Sequence, residues 1–222
     1  MITFFKKVLE LFINKGYGTL LTYRDPRRRK IFELITKIYK EGPLIMGYTE
    51  AYQLYMCVKR TSKIPGDIAE VGTYLGTSAK IICEAKNERN LYVIDTFEGL
   101  PYSGTRFDTK GMTKGLFRSS YSYVKKYLSI YPNVTLIKGI FPDSANPIID
   151  KRFSFVNLDV DLYESTKACL EFFYPRMTQG GIILSHDYIT QKGVEKAFEE
   201  FFMNKPEVII EMSGTQCLVV KL

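Results

Sequence analysis

Short apolar segments alternate with helical segments from Gly66 onward, and this alternation is the strongest constraint on the fold. The strand-like segments are residues 68–71, 91–95, 134–138, 153–159 and 181–187. The helical patterns lie near residues 77–87, 119–129, 165–173 and 193–203. Such alternation predicts βαβ units and a largely parallel sheet, and the segments 207–212 and 216–222 around Ser213-Gly214-Thr215 predict a hairpin. We therefore expect an α/β fold whose mostly parallel sheet ends in an antiparallel C-terminal hairpin.

A helical preface is predicted before this alternation. Its helical segments are residues 4–15, a helix between Asp25-Pro26 and Gly42-Pro43, and residues 49–62. Asp followed by Pro is typical of an N-cap and a first helical position. We divide the chain into an N-terminal helical extension or lid at 1–65 and a ligand-binding domain at 66–222. The apolar faces of the preface are expected to pack on that domain or on a second subunit, and we expect a homo-oligomer.

Charge and hydropathy narrow the partners and the compartment. The net charge is +7, and a local excess lies in Arg24, Arg27, Arg28, Arg29 and Lys30. Two interpretations stand: a solvated first helical turn, or a surface for an anionic partner such as a membrane face, giving peripheral contact. No nucleic-acid-binding motif accompanies the charge, so nucleic acid is not expected. No apolar run reaches about 18 residues, which predicts no spanning helix.

The cysteines indicate a reducing compartment. None of the four is spaced as C-x-x-C, and in a chain of 222 residues they are expected to be reduced, buried thiols. They are Cys57, Cys83, Cys169 and Cys217. A cytoplasmic location is therefore expected.

The first candidate site follows the first strand of the sheet, at residues 69–78. Gly72 would let the backbone pass close to a ligand, and Gly76 would allow tight packing at the helix start. The segment matches neither G-x-G-x-x-G nor a P-loop. Asp95 ends the second strand 23 residues after Gly72, where related folds place a carboxylate on ribose hydroxyls. This favours a nucleoside without a pyrophosphate; otherwise Asp95 caps the following turn with Thr96.

The second candidate site combines acids with the only histidine of the chain. Asp159 and Asp161 follow one strand, and His186 and Asp187 follow the next. Because adjacent parallel strands end at one sheet edge, these side chains are expected to converge and to hold a divalent metal. The competing interpretation is a hydrogen-bonded cap cluster without metal. His186 fits either a metal ligand or a general base.

The segment 99–118 has no clear period and carries four glycines. A loop of this length inside a compact domain is usually functional or mobile. We interpret it as a lid over the site, with a disordered surface excursion as the alternative.

Several separated blocks of this sequence resemble the macrocin O-methyltransferase family of S-adenosylmethionine-dependent sugar O-methyltransferases. The blocks are EVGTYLGTSA (70–79), YVIDTFEGLP (92–101), KGIFPDS (138–144), LDVDLYEST (158–166) and YPRMTQGGIILSHDY (174–188). The resemblance implies a Rossmann-like class I methyltransferase with a seven-stranded sheet whose last strand is antiparallel. The domain at 66–222 would then bind S-adenosylmethionine.

The resemblance also implies roles for individual residues. Cofactor-binding residues would be Glu70, Gly72, Thr73, Tyr74, Gly76, Ser78, Asp95, Thr96, Phe97, Gly139, Phe141 and Asp159. Tyr48 and Thr49 would close over the cofactor from the preface. Metal ligands would be Asp159, His186 and Asp187, with Asp161 as the second choice for the first of them. The base would be Asp161 or His186.

The sequence departs from the family at one position, because the family's Asp-Asp-Tyr is His186-Asp187-Tyr188 here. The family ion is Mg²⁺, which prefers oxygen ligands and is the ion expected here. Imidazole suits softer transition metals, so Mn²⁺ or another transition metal is the alternative. We expect methyl transfer to a hydroxyl, by implication a sugar hydroxyl on a small molecule or glycan. A metal-independent methyltransferase with His186 as base, and an inactive cofactor-binding protein, are the alternatives.

Overall fold

The computed structural model of the protein describes residues 25–42 and 46–222. The helix predicted at residues 4–15, and Arg24, lie outside these ranges. Helix α1 (Pro26–Glu41) begins as expected, because Asp25 Oδ1 accepts a hydrogen bond from the Arg27 backbone N–H at 2.8 Å. Helix α2 (Tyr48–Arg60) follows, and a 3₁₀ turn (Thr61–Lys63) leads into the sheet.

One seven-stranded sheet organises the rest of the chain. Its strands are β1 (Asp67–Val71), β2 (Leu91–Asp95), β3 (Val134–Lys138), β4 (Phe153–Leu158), β5 (Met177–Ser185), β6 (Ile210–Glu211) and β7 (Cys217–Val220). The intervening helices are α3 (Thr77–Ala85), α4 (Tyr121–Leu128), α5 (Tyr163–Phe173) and α6 (Lys192–Phe202). The strand order is β3-β2-β1-β4-β5-β7-β6, and β7 runs antiparallel to both of its neighbours. The predicted mostly parallel α/β sheet with an antiparallel hairpin is confirmed.

Helices cover both faces of the sheet, which explains why the strands read as nearly continuous apolar runs. On one face, Ile68, Val93 and Phe155 pack with residues of α1 to α4. On the other face the sheet packs against α5 and α6, through residues such as Phe173 and Phe198. The preface helices α1 and α2 therefore share a core with the sheet.

The hairpin is shorter than its sequence pattern suggests. The segment 207–212 was expected to be a strand, but only Ile210–Glu211 pairs with β7. Glu207 is buried and accepts hydrogen bonds from Tyr174 and Lys221, whereas Val208 is exposed. At the start of the segment, the Glu207 side chain therefore binds Tyr174 and Lys221, and backbone pairing with β7 begins only at Ile210.

Two further expectations concern thiols and membranes. All four cysteines are buried and unpaired, as predicted. Across residues 25–42 and 46–222, no helix is both long and apolar enough to cross a membrane.

Candidate active site

A cavity of about 360 Å³ opens at the carboxyl ends of β1, β2, β4 and β5. The predicted site residues that line it are Gly72, Thr73, Tyr74, Asp95, Thr96, Gly139, Phe141, Asp159, Asp161, His186 and Asp187. The loop residues Gly99, Leu100, Pro101 and Phe117 also line it. The parallel topology thus brings the two candidate sites of the sequence to a single cavity.

Four predicted cofactor residues lie outside the cavity lining. Glu70 is completely buried, and its Oε1 accepts a hydrogen bond from Asn157 Nδ2 at 3.0 Å. Burial raises the pKa of Glu70 to about 7, against the hydrogen bonds of nearby Thr73, Ser78 and Asn157. Phe97 packs edge-on against Tyr121. Glu70, Ser78 and Phe97 therefore support the cavity wall from behind.

Glycine is required at two positions for reasons of close packing. Gly76 has φ +83°, and a Cβ there would lie 3.2 Å from Val124 Cγ1 of α4. Gly72 also has φ +83°, and a Cβ there would lie 1.8 Å from the carbonyl oxygen of Asp159. The Asp159 N–H donates to the carbonyl of Val71 at 2.9 Å, so the ends of β1 and β4 are in contact. The tightest neighbour of Gly72 is thus a second strand end.

We call the part of the cavity formed by Gly72, Thr73, Tyr74 and Asp95 the glycine half. Asp95 Oδ2 accepts hydrogen bonds from the backbone N–H groups of Thr73 at 2.8 Å and Tyr74 at 2.9 Å. Its Oδ1 accepts from the Phe97 N–H at 2.7 Å. A carboxylate has about four acceptor sites, so Asp95 retains capacity for ligand hydroxyls. The cap interpretation of Asp95 is correct in part, since the carboxylate caps backbone on both loops, although not through Thr96.

We call the opposite part, formed by Asp159, Asp161, His186 and Asp187, the acidic half. Asp159 and Asp161 face the cavity, and no residue within 25–42 or 46–222 donates a hydrogen bond to either carboxylate. Burial, followed by the charges of neighbouring acids, raises the pKa of Asp161. Burial also raises the pKa of Asp159, although the nearby His186 opposes the shift. These two half-buried carboxylates lack the hydrogen-bond donors that acids removed from water need, which marks them as candidate ligand-binding groups.

His186 lies between carboxylates on both sides of its ring. Its Nδ1 is 2.7 Å from Asp187 Oδ2 and 3.9 Å from Asp159 Oδ1, and its Nε2 is 3.6 Å from Glu50 Oε2. Burial of the imidazole lowers its pKa, but the charge of Asp159, the hydrogen bond to Asp187 and the close approach of Glu50 outweigh this and raise the pKa to about 11. The surrounding carboxylates therefore favour the protonated imidazole, whose positive charge offsets part of theirs.

The three predicted metal ligands form a compact group. One ligand atom from each of Asp159, His186 and Asp187 lies within 4.8 Å of the other two. Asp187 is held in place because its Oδ1 accepts a hydrogen bond from Thr190 Oγ1 at 2.8 Å. Two carboxylates and one imidazole match divalent transition metals better than they match Mg²⁺.

Glu50 is a residue near the site that the sequence interpretation missed. It extends from the first turn of α2 and is 6 % exposed, next to His186. Tyr48 and Thr49, which were expected to close over the cofactor, do not line the cavity. Tyr48 instead stacks on Phe32 and contacts Tyr39 edge-on. The available signal for Glu50 was that it is the only acidic residue of α2.

Several residues at the cavity edge have left-handed backbone conformations that glycine usually adopts. Tyr74, Phe97, Asp161 and Asp187 have φ between +50° and +59°. Such conformations are uncommon outside glycine and cluster at functional sites. In Asp161 and Asp187 this backbone sets the direction of a carboxylate. Sequence periodicity carries no signal for it.

The loop 99–118 is well connected to the domain. Leu100 and Leu116 pair across it, with a Leu100 N–H to Leu116 carbonyl hydrogen bond of 2.8 Å. Asp108 Oδ1 accepts from the Tyr163 N–H at 2.7 Å, at the first residue of α5. The loop lies beside the cavity as expected of a lid, and its internal hydrogen bonds do not fit a disordered excursion.

The family model that describes macrocin O-methyltransferases matches residues 44–212, about three quarters of the chain. The chain belongs to the macrocin O-methyltransferase family. It is accordingly an S-adenosylmethionine-dependent O-methyltransferase. The match begins within the preface and includes all of α2.

Relatives of this methyltransferase include two curated Streptomyces enzymes. Demethyldecarbamoylnovobiocin O-methyltransferase of Streptomyces niveus is 24% identical, over 87% of this chain and 84% of its own. The 8-demethyl-8-(2,3-dimethoxy-alpha-L-rhamnosyl)-tetracenomycin-C 4'-O-methyltransferase of Streptomyces olivaceus is 27% identical, over 65% of this chain and 62% of its own. The structure of the O-methyltransferase NovP superposes with a TM-score of 0.69 at 23% identity, covering 79% of this chain and 80% of that one. This likeness supports the Rossmann-like fold.

Proposed function

We propose that this methyltransferase transfers the methyl group to a sugar hydroxyl, with a divalent metal held by Asp159, His186 and Asp187. The observation that carries the proposal is the acidic half, where two half-buried carboxylates face the cavity and accept no hydrogen bond from residues 25–42 and 46–222. Partnerless buried charges are costly unless a ligand or cation compensates them. The glycine half adjoins it where the Asp159 carbonyl approaches Gly72, and it supplies the groups expected to hold the cofactor.

The residues on each side have distinct tasks. When bound, S-adenosylmethionine supplies an activated methyl group, and a divalent cation would supply Lewis-acid stabilisation of the deprotonated hydroxyl. Asp95 and the backbone of Gly72 to Tyr74 would bind the ribose and methionine parts. Gly139 and Phe141 would lie beside the adenine. Together these contacts would orient the acceptor and the methyl donor for in-line transfer.

Asp161 is the base that the geometry favours. Both ring nitrogens of His186 face carboxylates, so the ring has no free acceptor for a substrate proton. Asp161 faces the cavity with no hydrogen bond from the residues in 25–42 and 46–222, and its pKa is raised by burial and by neighbouring acids. A carboxylate with a raised pKa is a better proton acceptor for a hydroxyl.

The names of the relatives support a sugar as the acceptor. The tetracenomycin enzyme is named for transfer to position 4' of a compound that carries a rhamnosyl group. A relative from Micromonospora griseorubida, 25% identical over 65% of this chain, is named mycinamicin III 3''-O-methyltransferase. From the rhamnosyl group in the first name we infer the acceptor class of this chain, which is a sugar hydroxyl on a glycosylated small molecule.

Methyl transfer to a panel of glycosides, with and without exhaustive chelation, tests the proposal. We expect turnover that chelation abolishes and that Mn²⁺ or Co²⁺ restores at least as well as Mg²⁺. Asp159→Ala and Asp187→Asn should lose turnover by several powers of ten, because each 1.36 kcal/mol of lost stabilisation is about tenfold in rate. Asparagine is used at 187 because it tolerates the φ of +59° there.

Asp150→Ala is the matched control, because this acid is exposed beside the opposite ends of the strands. It should keep full turnover and an unchanged affinity for S-adenosylhomocysteine in calorimetry, and the other two variants should keep most of that affinity. Undiminished turnover after chelation would refute the proposed role of the metal and favour the alternative of a metal-independent methyltransferase.

A further inference from the structure

We infer that Glu50 is a positioning residue, which orients His186 from the preface helix α2 so that the ring presents Nδ1 to Asp159 and Asp187. The inference rests on the proposed metal function. It also makes the preface a part of the active site, because the carboxylate enters from outside the sheet that carries the other acids.

The two ring nitrogens of His186 face opposite sides. Nδ1 faces the acidic half, at 2.7 Å from Asp187 Oδ2. Nε2 is buried, forms no hydrogen bond within 25–42 or 46–222, and lies 3.6 Å from Glu50 Oε2. A shift of a few tenths of an ångström would make this contact a hydrogen bond. Histidines that ligate metals almost always donate their other ring N–H to such an acceptor.

Glu50 is itself held tightly, as a positioning group must be. Its Oε2 accepts from the Gly47 N–H at 2.7 Å, which also caps the start of α2. Its Oε1 accepts from both the N–H and the hydroxyl of Thr215, each at 2.8 Å. Gly214 has φ +96°, and a Cβ there would lie 2.6 Å from Glu50 Oε1. The turn before β7 is therefore closely packed on the carboxylate.

Thr215 extends this network to the second candidate ligand. Its hydroxyl accepts a hydrogen bond of 3.4 Å from the Asp187 N–H, and its carbonyl accepts from the Ile189 N–H at 3.1 Å. Glu50 thus reaches both members of the His186-Asp187 pair, one through the ring and one through the backbone. The family's Asp-Asp pair has no ring nitrogen at the first position, so this orienting role belongs to the histidine-containing sequence.

Binding of Co²⁺ alone, measured by calorimetry and by visible absorption, tests the inference without turnover. Removing such an outer partner typically lowers metal affinity by about 10–100-fold, and we expect this loss in E50Q. In the H186D background, where no ring needs orientation, E50Q should change the affinity by less than about threefold. Equal losses in both backgrounds, or no loss beside His186, would overturn the inference.

The controls separate orientation from folding. E50Q should bind S-adenosylhomocysteine with affinity within about threefold of the parent, because Glu50 does not line the cavity. T215V keeps the Glu50 to His186 contact and removes only the hydroxyl, so a smaller loss of Co²⁺ affinity is expected. A larger loss in T215V than in E50Q would overturn the assignment of the orienting role to Glu50.

Nuclear magnetic resonance of the imidazole gives a readout that does not depend on turnover. The chain has one histidine, so its ring nitrogens give unambiguous signals. With Zn²⁺ as a diamagnetic probe, Nδ1 should shift on binding while Nε2 stays protonated. Coordination through Nε2 would overturn the inference. If no divalent ion binds and the chelated enzyme is active, the metal proposal alone fails. In that case, an Nε2–H signal that is the same in E50Q as in the parent protein would reject the orienting role of Glu50.

Discussion

The two halves of the cavity differ in how they satisfy their half-buried carboxylates. In the glycine half, Asp95 accepts three backbone hydrogen bonds and ties two loops together. In the acidic half, Asp159 and Asp161 receive none from the residues in 25–42 and 46–222, and their pKa values are raised mainly by burial. The halves meet where the Asp159 carbonyl approaches Gly72.

This difference indicates which half is preorganised and which half is completed by ligands. Protein groups already satisfy the acid of the glycine half, so that half can present a fixed surface to a cofactor. The acidic half keeps a surplus of negative charge, which His186 offsets only in part. Perturbed acids in a cavity are expected where chemistry occurs.

Asp161→Asn is the substitution expected to have the largest effect among those that separate the halves. Loss of a general base lowers the rate by about 10²–10⁴-fold. Asparagine tolerates the φ of +59° at this position, so the backbone should be preserved. Steady-state kinetics should show the loss in kcat, with unchanged calorimetric affinity for S-adenosylhomocysteine. A loss in kcat below tenfold would mean that the acidic half does not supply the base through Asp161.

Gly72→Ala tests the contact between the halves. An added Cβ would collide with the Asp159 carbonyl at 1.8 Å and would hold alanine at φ +83°, so the free energy of unfolding should fall by about 3 kcal/mol. Gly111→Ala is the control, because its φ is +99° and a Cβ there meets nothing within 4 Å. That variant should lose only about 1 kcal/mol in urea denaturation. Equal losses would show that backbone conformation, not the strand contact, requires Gly72.

Asp95→Asn is expected to have the smallest effect of the three. The single oxygen of the asparagine amide can still accept backbone hydrogen bonds, but its NH₂ group would face a backbone N–H, which is also a donor. An unsatisfied group of this kind costs about 1–3 kcal/mol, which should weaken S-adenosylhomocysteine binding by about 10–100-fold. Asp143→Asn, at an exposed acid after β3, should leave the affinity unchanged. If Asp95→Asn binds normally and turns over slowly, the assignment of the halves would have to be reversed.

The sheet could be predicted closely because its strands are short, apolar and separated by clear helical patterns. The start of β5 at Met177, before Gly180 and Gly181, could not, since these glycines end an apolar pattern. The segment at 207–212 was also misjudged, because the burial of Glu207 depends on Lys221 and Tyr174. Single-segment patterns do not contain such partners.

The candidate site was predictable to the extent that strand ends share an edge. From residue order alone, Asp159, Asp161, His186 and Asp187 could be assigned to neighbouring turns of a parallel sheet. Glu50 could not, because its contacts with Thr215 lie 165 positions away along the chain. Its place next to His186 depends on how α2 packs on the sheet.

Local sequence determines three features of this protein. These are the order of strands and helices along the chain, the glycines at the first turn, and the acids at the ends of the fourth and fifth strands. Hydrophobic period and strand-end position are properties of contiguous residues, so the sequence specifies them directly. Packing between distant segments produces three other features. These are the positive φ of Asp161 and Asp187, the contact of Gly72 with Asp159, and the approach of Glu50 to His186. Long-range packing sets these features, because each depends on where a second segment lies in space.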